Sequence, residues 1–401
     1  THSSDIKTTN CQPLKGKIKT DCLVVGGGFT GLHAALTLVS AGKEVVLLEK
    51  SICGGGSSGQ SAGFLTPESE KDMGQLIKVY GEKRAKVLRD IPNKGVDIIV
   101  RTSKKYNFNC DLRKQDSLYL AFKKSHEKFL KEEAESKKDE EEPYKLLKKN
   151  ELQKIHPGNG YTIGLKYPGS YGINPFAYCQ EMKNLLLKKG VKIYEGSEVK
   201  KIEGKTAKTH LGSVSADNIL ICIDKMKTEF NEEVSKKFHT YQTYVSVSEP
   251  LTDQEMKALF PKGEMMCWDT RIIYSHYRPI YDNRILIGGG SLFTTHSSTY
   301  IYSQKAIEKF INELKCRFPE ISDVNFNYYW SGLIDITQDL EPIVDYDKNN
   351  KSIQYALGCA GLPWAAFCGD YIARRVLNPK KAEDLSEFTR IDRKFLFGPR
   401  L

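Results

Sequence analysis

A chain of 401 residues with 40% hydrophobic and 27% charged residues is longer than one ordinary domain and can bury a substantial core, which excludes fibrous and disordered classes and favours two joined domains or one large α/β unit. The net charge of +10 is spread as lysines over helix surfaces, with no arginine-rich stripe interleaved with aromatics, so no nucleic-acid partner is expected; part of that charge suits a polyanionic cofactor or an acidic substrate. Ten cysteines without a C-x-x-C pair, several inside apolar runs such as 219–223, read as reduced, mostly buried thiols, and with no secretory apolar region and no apolar run of about 18 residues they imply a cytoplasmic protein without a membrane span.

After a polar leader at 1–19, residues 21–25 form an apolar run ending in glycines, 29–41 have helical periodicity, and 44–48 are apolar and β-branched again. That is a strand, a helix and a second strand. The glycine- and serine-rich segment 54–63 is too rich in φ-permissive residues for regular structure. The pattern is helical from 72 to 105 and strand-like at 117–122, and the charged stretch 123–142 reads as a solvated helix and loop. A helix follows at 176–189, with strands at 191–194 and 218–223. Strands at 240–248, 271–279 and 284–288 and a helix at 303–317 suggest an antiparallel sheet with covering helices. From 330 to 377 the chain returns to a strand, a glycine turn at 358–361 and a helix through Arg375.

No internal repeat is present. The expected architecture is α/β: a discontinuous Rossmann-type nucleotide-binding domain from 20–105, 150–225 and 330–378, with an inserted antiparallel-sheet substrate domain from 106–149 and 226–329. Residues 1–19 form the leader and 379–401 a C-terminal tail.

Gly26-x-Gly28-x-x-Gly31 lies between the first strand and the first helix. There Gly26 makes a tight turn, Gly28 lets the backbone approach a pyrophosphate, and Gly31 packs helix on sheet, with the helix N-terminus facing the diphosphate charge. Glu49 ends the next strand, where a carboxylate accepts from both ribose hydroxyls and disfavours a 2′-phosphate. The fingerprint alone leaves NAD and FAD open. A second glycine-rich segment directly after Glu49 suits a long extended cofactor better than NAD. Residues 55–59 also match G-x-S-x-G, but no strand runs into that serine and no helix pattern leaves it, so serine-hydrolase chemistry is not expected.

With these motifs in order, the chain resembles the D-amino-acid oxidase, glycine oxidase and sarcosine oxidase superfamily, and within it the gamma-glutamylputrescine-oxidase-like branch, over nearly all of 20–378. Ser57-Ser58-Gly59-Gln60-Ser61-Ala62-Gly63 resembles the element that wraps the diphosphate and reaches the flavin. The segment around Gly190 to Val199 is similar to the second nucleotide-contact region, in which the resemblance gives Val199 a backbone contact to adenine. Tyr277-Arg278 and the strand from Arg284 resemble the strand pair bearing a substrate-side aromatic and arginine. Trp330-Ser331-Gly332 with 337–342 resembles the penultimate motif, and Gly358, Gly361, Leu362, Pro363 and Trp364 the last flavin-contacting turn and helix start. By the same resemblance Phe29, Thr30 and Lys50 join Gly26, Gly28, Gly31 and Glu49 as cofactor contacts.

Two departures stand out. Asp224-Lys225 replaces a small residue and glycine, and Cys359, Pro363 and Trp364 replace the usual histidine-glycine chemistry. Gly332 falls near the position of the flavin-attaching cysteine in covalent members, so the resemblance implies non-covalent FAD.

The resemblance further implies hydride transfer from a carbon beside nitrogen to the flavin, imine hydrolysis and reoxidation by oxygen, so the protein orients and desolvates and no acid/base dyad or metal site is needed. None of the 8 histidines has metal-ligand spacing. Arg278, flanked by Tyr277, is the substrate-side candidate, since a guanidinium grips a carboxylate with two parallel hydrogen bonds; a structural ion pair explains it equally. Tyr244 is a pocket-lining candidate that core packing explains as well, and Trp364 either covers a flavin face or fills the core. The expected partner is a small amine or amino acid. A 2-hydroxyacid dehydrogenase, and an FAD protein acting mainly in a complex with weak turnover, remain the alternatives.

Overall fold

Residues 21–25 form the carboxyl end of an interior strand of the first sheet and run directly into the glycine turn. The computed structural model describes residues 6, 8–68, 70–137, 144–226, 228, 230–290, 299–380 and 385–393. Strand β1 (Gly16–Val25) lies between β2 (Val45–Leu48) and a long strand at Gly212–Ile221, pairing parallel with both. Helix α1 (Phe29–Ser40) makes the crossover between the parallel strands β1 and β2, burying Phe29, Leu32, Ala35 and Leu38.

In chain order the remaining elements used below are α2 (Ser57–Gln60), α3 (Glu82–Tyr106), β3 (Asp116–Leu120), β4 (Lys145–Lys148), β5 (Ile163–Tyr167), α4 (Pro175–Lys188), β6 (Lys192–Tyr194), β7 (Lys201–Glu203), β8 (Thr206–Lys208) and β9 (Gly212–Ile221). Then come β10 (Phe238–Val247), β11 (Met265–Asp269), β12 (His276–Ile280), β13 (Arg284–Gly289), α5 (Gln304–Arg317), β14 (Tyr328–Thr337), β15 (Ile343–Tyr346), β16 (Ile353–Leu357) and α6 (Leu362–Leu377). Among the described residues the first sheet runs β7-β8-β9-β1-β2-β6, with β16 parallel on β9 and β15 antiparallel on β16. The second runs β14-β10-β13-β12-β11-β3-β5-β4 and is antiparallel except where β3 meets β11.

The mixed α/β architecture is the expected one, with differences at the joints. The helix expected over 72–105 is two helices, broken at Gly81, whose φ of +77° only glycine adopts easily. Of the strand expected over 271–279 only the part from His276 is strand, in β12; 271–275 form a bend that separates it from β11. Strands β5 and β14 pair in the second sheet, although periodicity alone grouped their residues with the nucleotide-binding part, because strand pattern does not reveal which sheet a strand joins.

The stretch 123–142 is not simply solvated. Residues 138–142 lie outside the described residues, but before them Lys137 is buried between Glu68 at 2.7 Å and Glu133 at 2.8 Å, with its ammonium 4.5 Å from the Tyr144 ring and 4.6 Å from the Tyr167 ring. A charged residue is tolerated inside when ion pairs and ring faces replace water. Leader and tail, where described, are docked too. Leu14 donates its N–H to Ser197 Oγ at 2.9 Å, and Arg393 forks onto Asp339 with two bonds of 2.8 Å.

No described helix is long and apolar enough to cross a membrane.

Candidate active site

The cleft is built where β1, β2 and β9 end together. Gly26 has φ +109°, and a Cβ there would stand 2.3 Å from the Cys222 carbonyl oxygen; a Cβ at Gly31 would stand 1.9 Å from the Gly26 carbonyl oxygen. Only glycines let β1 turn this tightly into α1 and let α1 sit on the sheet. No acidic residue occupies the first turn of α1, whose positive end faces the cleft through Gly28, Phe29 and Thr30. Ser58 accepts the Phe29 N–H at 3.1 Å, tying α2 to that turn.

Glu49 stands at the end of β2. It accepts the Gly27 N–H on Oε2 and the Ser51 N–H on Oε1, both at 2.8 Å. Burial pushes its carboxyl above the usual range, and those two bonds pull it down. Each oxygen keeps a lone pair for a further donor.

The cleft is partly open to solvent. Of the candidates, it gathers Gly26, Gly28, Phe29, Thr30, Glu49, Lys50, Ser57, Ser58, Ser61, Val199, Gly358, Gly361 and Leu362 along one wall or another. Five segments distant in sequence thus meet: the β1 turn, the end of β2, α2, the segment after β6 and the turn that starts α6.

The other candidates stand behind that surface. Gly31 and Gly59 are packing glycines; a Cβ at Gly59 would meet the Gly54 carbonyl oxygen at 2.0 Å. Pro363 packs α6 against Gly95 of α3, and Trp364 is buried in the helical core, so of its two readings the core-filling one matches its position. Gly332 lies on β14 with Gln60 Oε1 3.9 Å from where its Cβ would be. Ala62 and Gly63 belong to the loop that Arg278 holds.

Arg278 is 2% exposed and is not among the residues facing the cleft. Its Nε donates to the Ala62 carbonyl at 2.8 Å and its Nη2 to the Ile173 carbonyl at 2.6 Å. Burial lowers it to about 10. The guanidinium is turned onto backbone rather than toward a ligand carboxylate, because the adjacent Gly63 and Gly172 leave it room among the carbonyls; Cβ atoms there would stand 2.7 and 2.5 Å from its terminal nitrogens. Tyr277 bonds His156 Nε2 at 2.6 Å inside the core of the second sheet, and Tyr244 donates to the Ile301 carbonyl at 2.8 Å. These three do not meet in the cleft.

Several cleft residues were not expected as contacts: Cys222 after β9 and Ile334 and Asp335 on β14 were passed over, and Asp224, Lys225 and Cys359 stood out only as departures from the family pattern. Asp224 had a signal, since it follows a parallel strand at the sheet's carboxyl edge, where ligands of open α/β sheets bind. Asp335 had none, because β14 belongs to the second sheet and reaches the cleft only through tertiary packing.

Residues 21–375 match the DAO family, described as FAD dependent oxidoreductase. The chain belongs to that family. A probable oxidoreductase OrdL of Haemophilus influenzae is 28% identical across 97% of this chain and 90% of its own length. The gamma-glutamylputrescine oxidoreductase of Escherichia coli is 28% identical across 87% of this chain and 81% of its own. Glycine oxidase from Geobacillus kaustophilus superposes with a TM-score of 0.80 at 18% identity, covering 93% of this chain and 98% of its own, which shows a shared fold.

This DAO-family oxidoreductase therefore uses FAD, and the residues present fit it: a glycine-lined turn at a helix N-terminus for the diphosphate, Glu49 for a ribose and Lys50 and Lys225 as cations on the wall.

Proposed function

We propose that this FAD-dependent oxidoreductase oxidises an amine or amino acid at the carbon beside nitrogen, with FAD held non-covalently. The observation that carries the reading is the near full-length likeness to an oxidoreductase whose substrate, gamma-glutamylputrescine, is itself an amine. Bound FAD supplies the two-electron acceptor for the substrate C–H bond.

The chain's part is orientation and exclusion of water. The second sheet covers one side of the cleft through β14, and Trp330 Nε1 donates to the Gln60 carbonyl at 2.8 Å, locking β14 onto α2. Gln60 Oε1 is a buried acceptor without a partner among the described residues, beside the bare backbone of Gly332. Gln60 stands just behind the cleft surface, between the lining residues Ser58 and Ser61, and a buried acceptor of that kind suits an amine N–H donor. Phe64 and His276 meet edge to face with ring centroids 5.4 Å apart, and burial keeps His276 neutral by lowering it to about 4. Gly332 offers no nucleophile for a bond to the flavin.

The test is anaerobic titration of the holoprotein with polyamines, gamma-glutamyl amines, N-methyl amino acids and D-amino acids. Bleaching of the flavin bands by one of these supports the reading. Bleaching by a 2-hydroxy acid and by none of the amines overturns it.

A further inference from the structure

Ser57 opens α2 and has one hydroxyl proton, yet two acceptors lie against its oxygen. One is the Leu333 carbonyl oxygen at 2.8 Å, the other the Asp224 carboxyl oxygen Oδ2. A serine donates once, and a backbone carbonyl never donates. One hydroxyl proton cannot make a linear bond to both acceptors; both contacts become full hydrogen bonds when a second proton is present, and Asp224 is the group that can carry it. Its other oxygen, Oδ1, accepts the Asp335 N–H at 3.0 Å, which leaves Oδ2 for the proton.

The surroundings favour the same state. Burial and the neighbouring Asp335 carboxylate both raise the Asp224 carboxyl, while the Ser57 and Asp335 N–H contacts and Lys225 oppose them. Asp335 accepts from Thr240 Oγ1 at 2.6 Å. Glu49, Glu198 and Lys50 line the same cleft farther along.

We propose that Asp224 is kept as a neutral carboxylic acid, donating to Ser57, which donates on to the Leu333 carbonyl, and that this neutral form is the one that admits FAD. The inference rests on the FAD assignment and is independent of the amine reading. Asp224, Ser57, Asp335 and the helix-end turn line one cleft, so an ionised Asp224 would add negative charge beside a cofactor that already bears an anionic diphosphate. The chain through Ser57 also joins α2 to β14, so the proton closes the wall between the two sheets. Asp224 is a positioning residue for the cofactor.

The experiment measures FAD affinity of the apoprotein by quenching of flavin fluorescence upward from about pH 5, just above the ordinary carboxylate range, to about pH 10. Wild-type affinity is expected to hold on the acid side and then fall by up to about tenfold per pH unit as Asp224 ionises. Asp224→Asn offers an amide N–H to Ser57 and a carbonyl to the Asp335 N–H, so it should bind FAD within about threefold of wild type at neutral pH and lose the alkaline fall. Glu49 titration would survive in that variant and acts in the opposite direction, since its ionised form is the better acceptor for ribose.

Two further variants keep the test decisive should Asp224→Asn not fold. Asp335→Asn removes the neighbouring negative charge and should move the fall to lower pH; Lys225→Met removes the opposing cation and should move it higher. An alkaline fall unchanged in Asp224→Asn, a loss of more than about tenfold by that variant at neutral pH, or no shift in either neighbour variant overturns the proposal.

Discussion

Arg278 donates its Nε–H to the carbonyl oxygen of Ala62 at 2.8 Å, so a buried cation from the second sheet holds the loop that brings Ser61 into the cofactor cleft. With its second bond to the Ile173 carbonyl, the side chain acts as a staple among three segments that are remote in sequence. Removing a donor from buried carbonyls costs about 1–3 kcal/mol for each group left unsatisfied. Arg278→Met should therefore lower the unfolding temperature and loosen FAD together. Thermal unfolding with and without added FAD checks this; a variant of unaltered stability with a raised KM alone would instead mean that Arg278 grips the substrate.

Two glycines of the same motif should fail differently. A Cβ at Gly31 lands on the Gly26 carbonyl oxygen at 1.9 Å, against backbone that cannot move aside, whereas one at Gly28 lands 2.9 Å from the movable Ser58 hydroxyl and within the cleft. Gly31→Ala should reduce the yield of folded protein, while Gly28→Ala should fold and bind FAD at least about tenfold more weakly. Circular dichroism and flavin titration separate the two outcomes.

Gln60 is expected to act on substrate rather than on cofactor. Gln60→Leu removes the unpartnered Oε1 acceptor beside Gly332 and should raise the KM for an amine by about 5- to 30-fold, the equivalent of one hydrogen bond of about 1–2 kcal/mol. FAD affinity should stay within about twofold of wild type. Equal loss of FAD in this variant would assign Gln60 to the cofactor.

Flavin release is a direct check on the bare backbone at Gly332. Denaturation in acid should free all the FAD into the supernatant, and the denatured chain should carry no flavin fluorescence on a gel. Fluorescence that stays with the polypeptide would show a covalent bond elsewhere in the chain.

Stability should fall on the acid side. His33 and His156 are buried and neutral, lowered to about 4 and about 3 mainly by burial. Below the unfolded value of about 6.5 the unfolded chain takes up protons that the folded chain refuses, so each histidine removes up to about 1.4 kcal/mol per pH unit, until its folded value is reached. The unfolding temperature should drop steadily between about pH 6.5 and pH 4, and His156→Gln should flatten that slope. An unchanged temperature over this range would show that these histidines protonate without unfolding the protein.

How much was legible beforehand follows from the range of the forces involved. The strand, glycine turn, helix, strand and terminal Glu49 of 21–49 depend on periodicity and on glycine's freedom within a few residues, so the sequence determined them by itself, and with them a dinucleotide cofactor, with NAD and FAD both open until the later motifs were read. The roles of the charged groups did not depend on near neighbours. Arg278 could grip a ligand or staple a loop, and Lys137 could point to water or into an aromatic cage; the same residue types serve each use. Only the tertiary structure decided, because the partners (Ala62 and Ile173 for one, Glu68 and Tyr167 for the other) come from distant segments, and a buried charge takes whichever hydrogen bonds the packed chain brings within reach. Asp224 follows the same rule: its place after β9 is set by sequence, and its proton by Ser57 and β14.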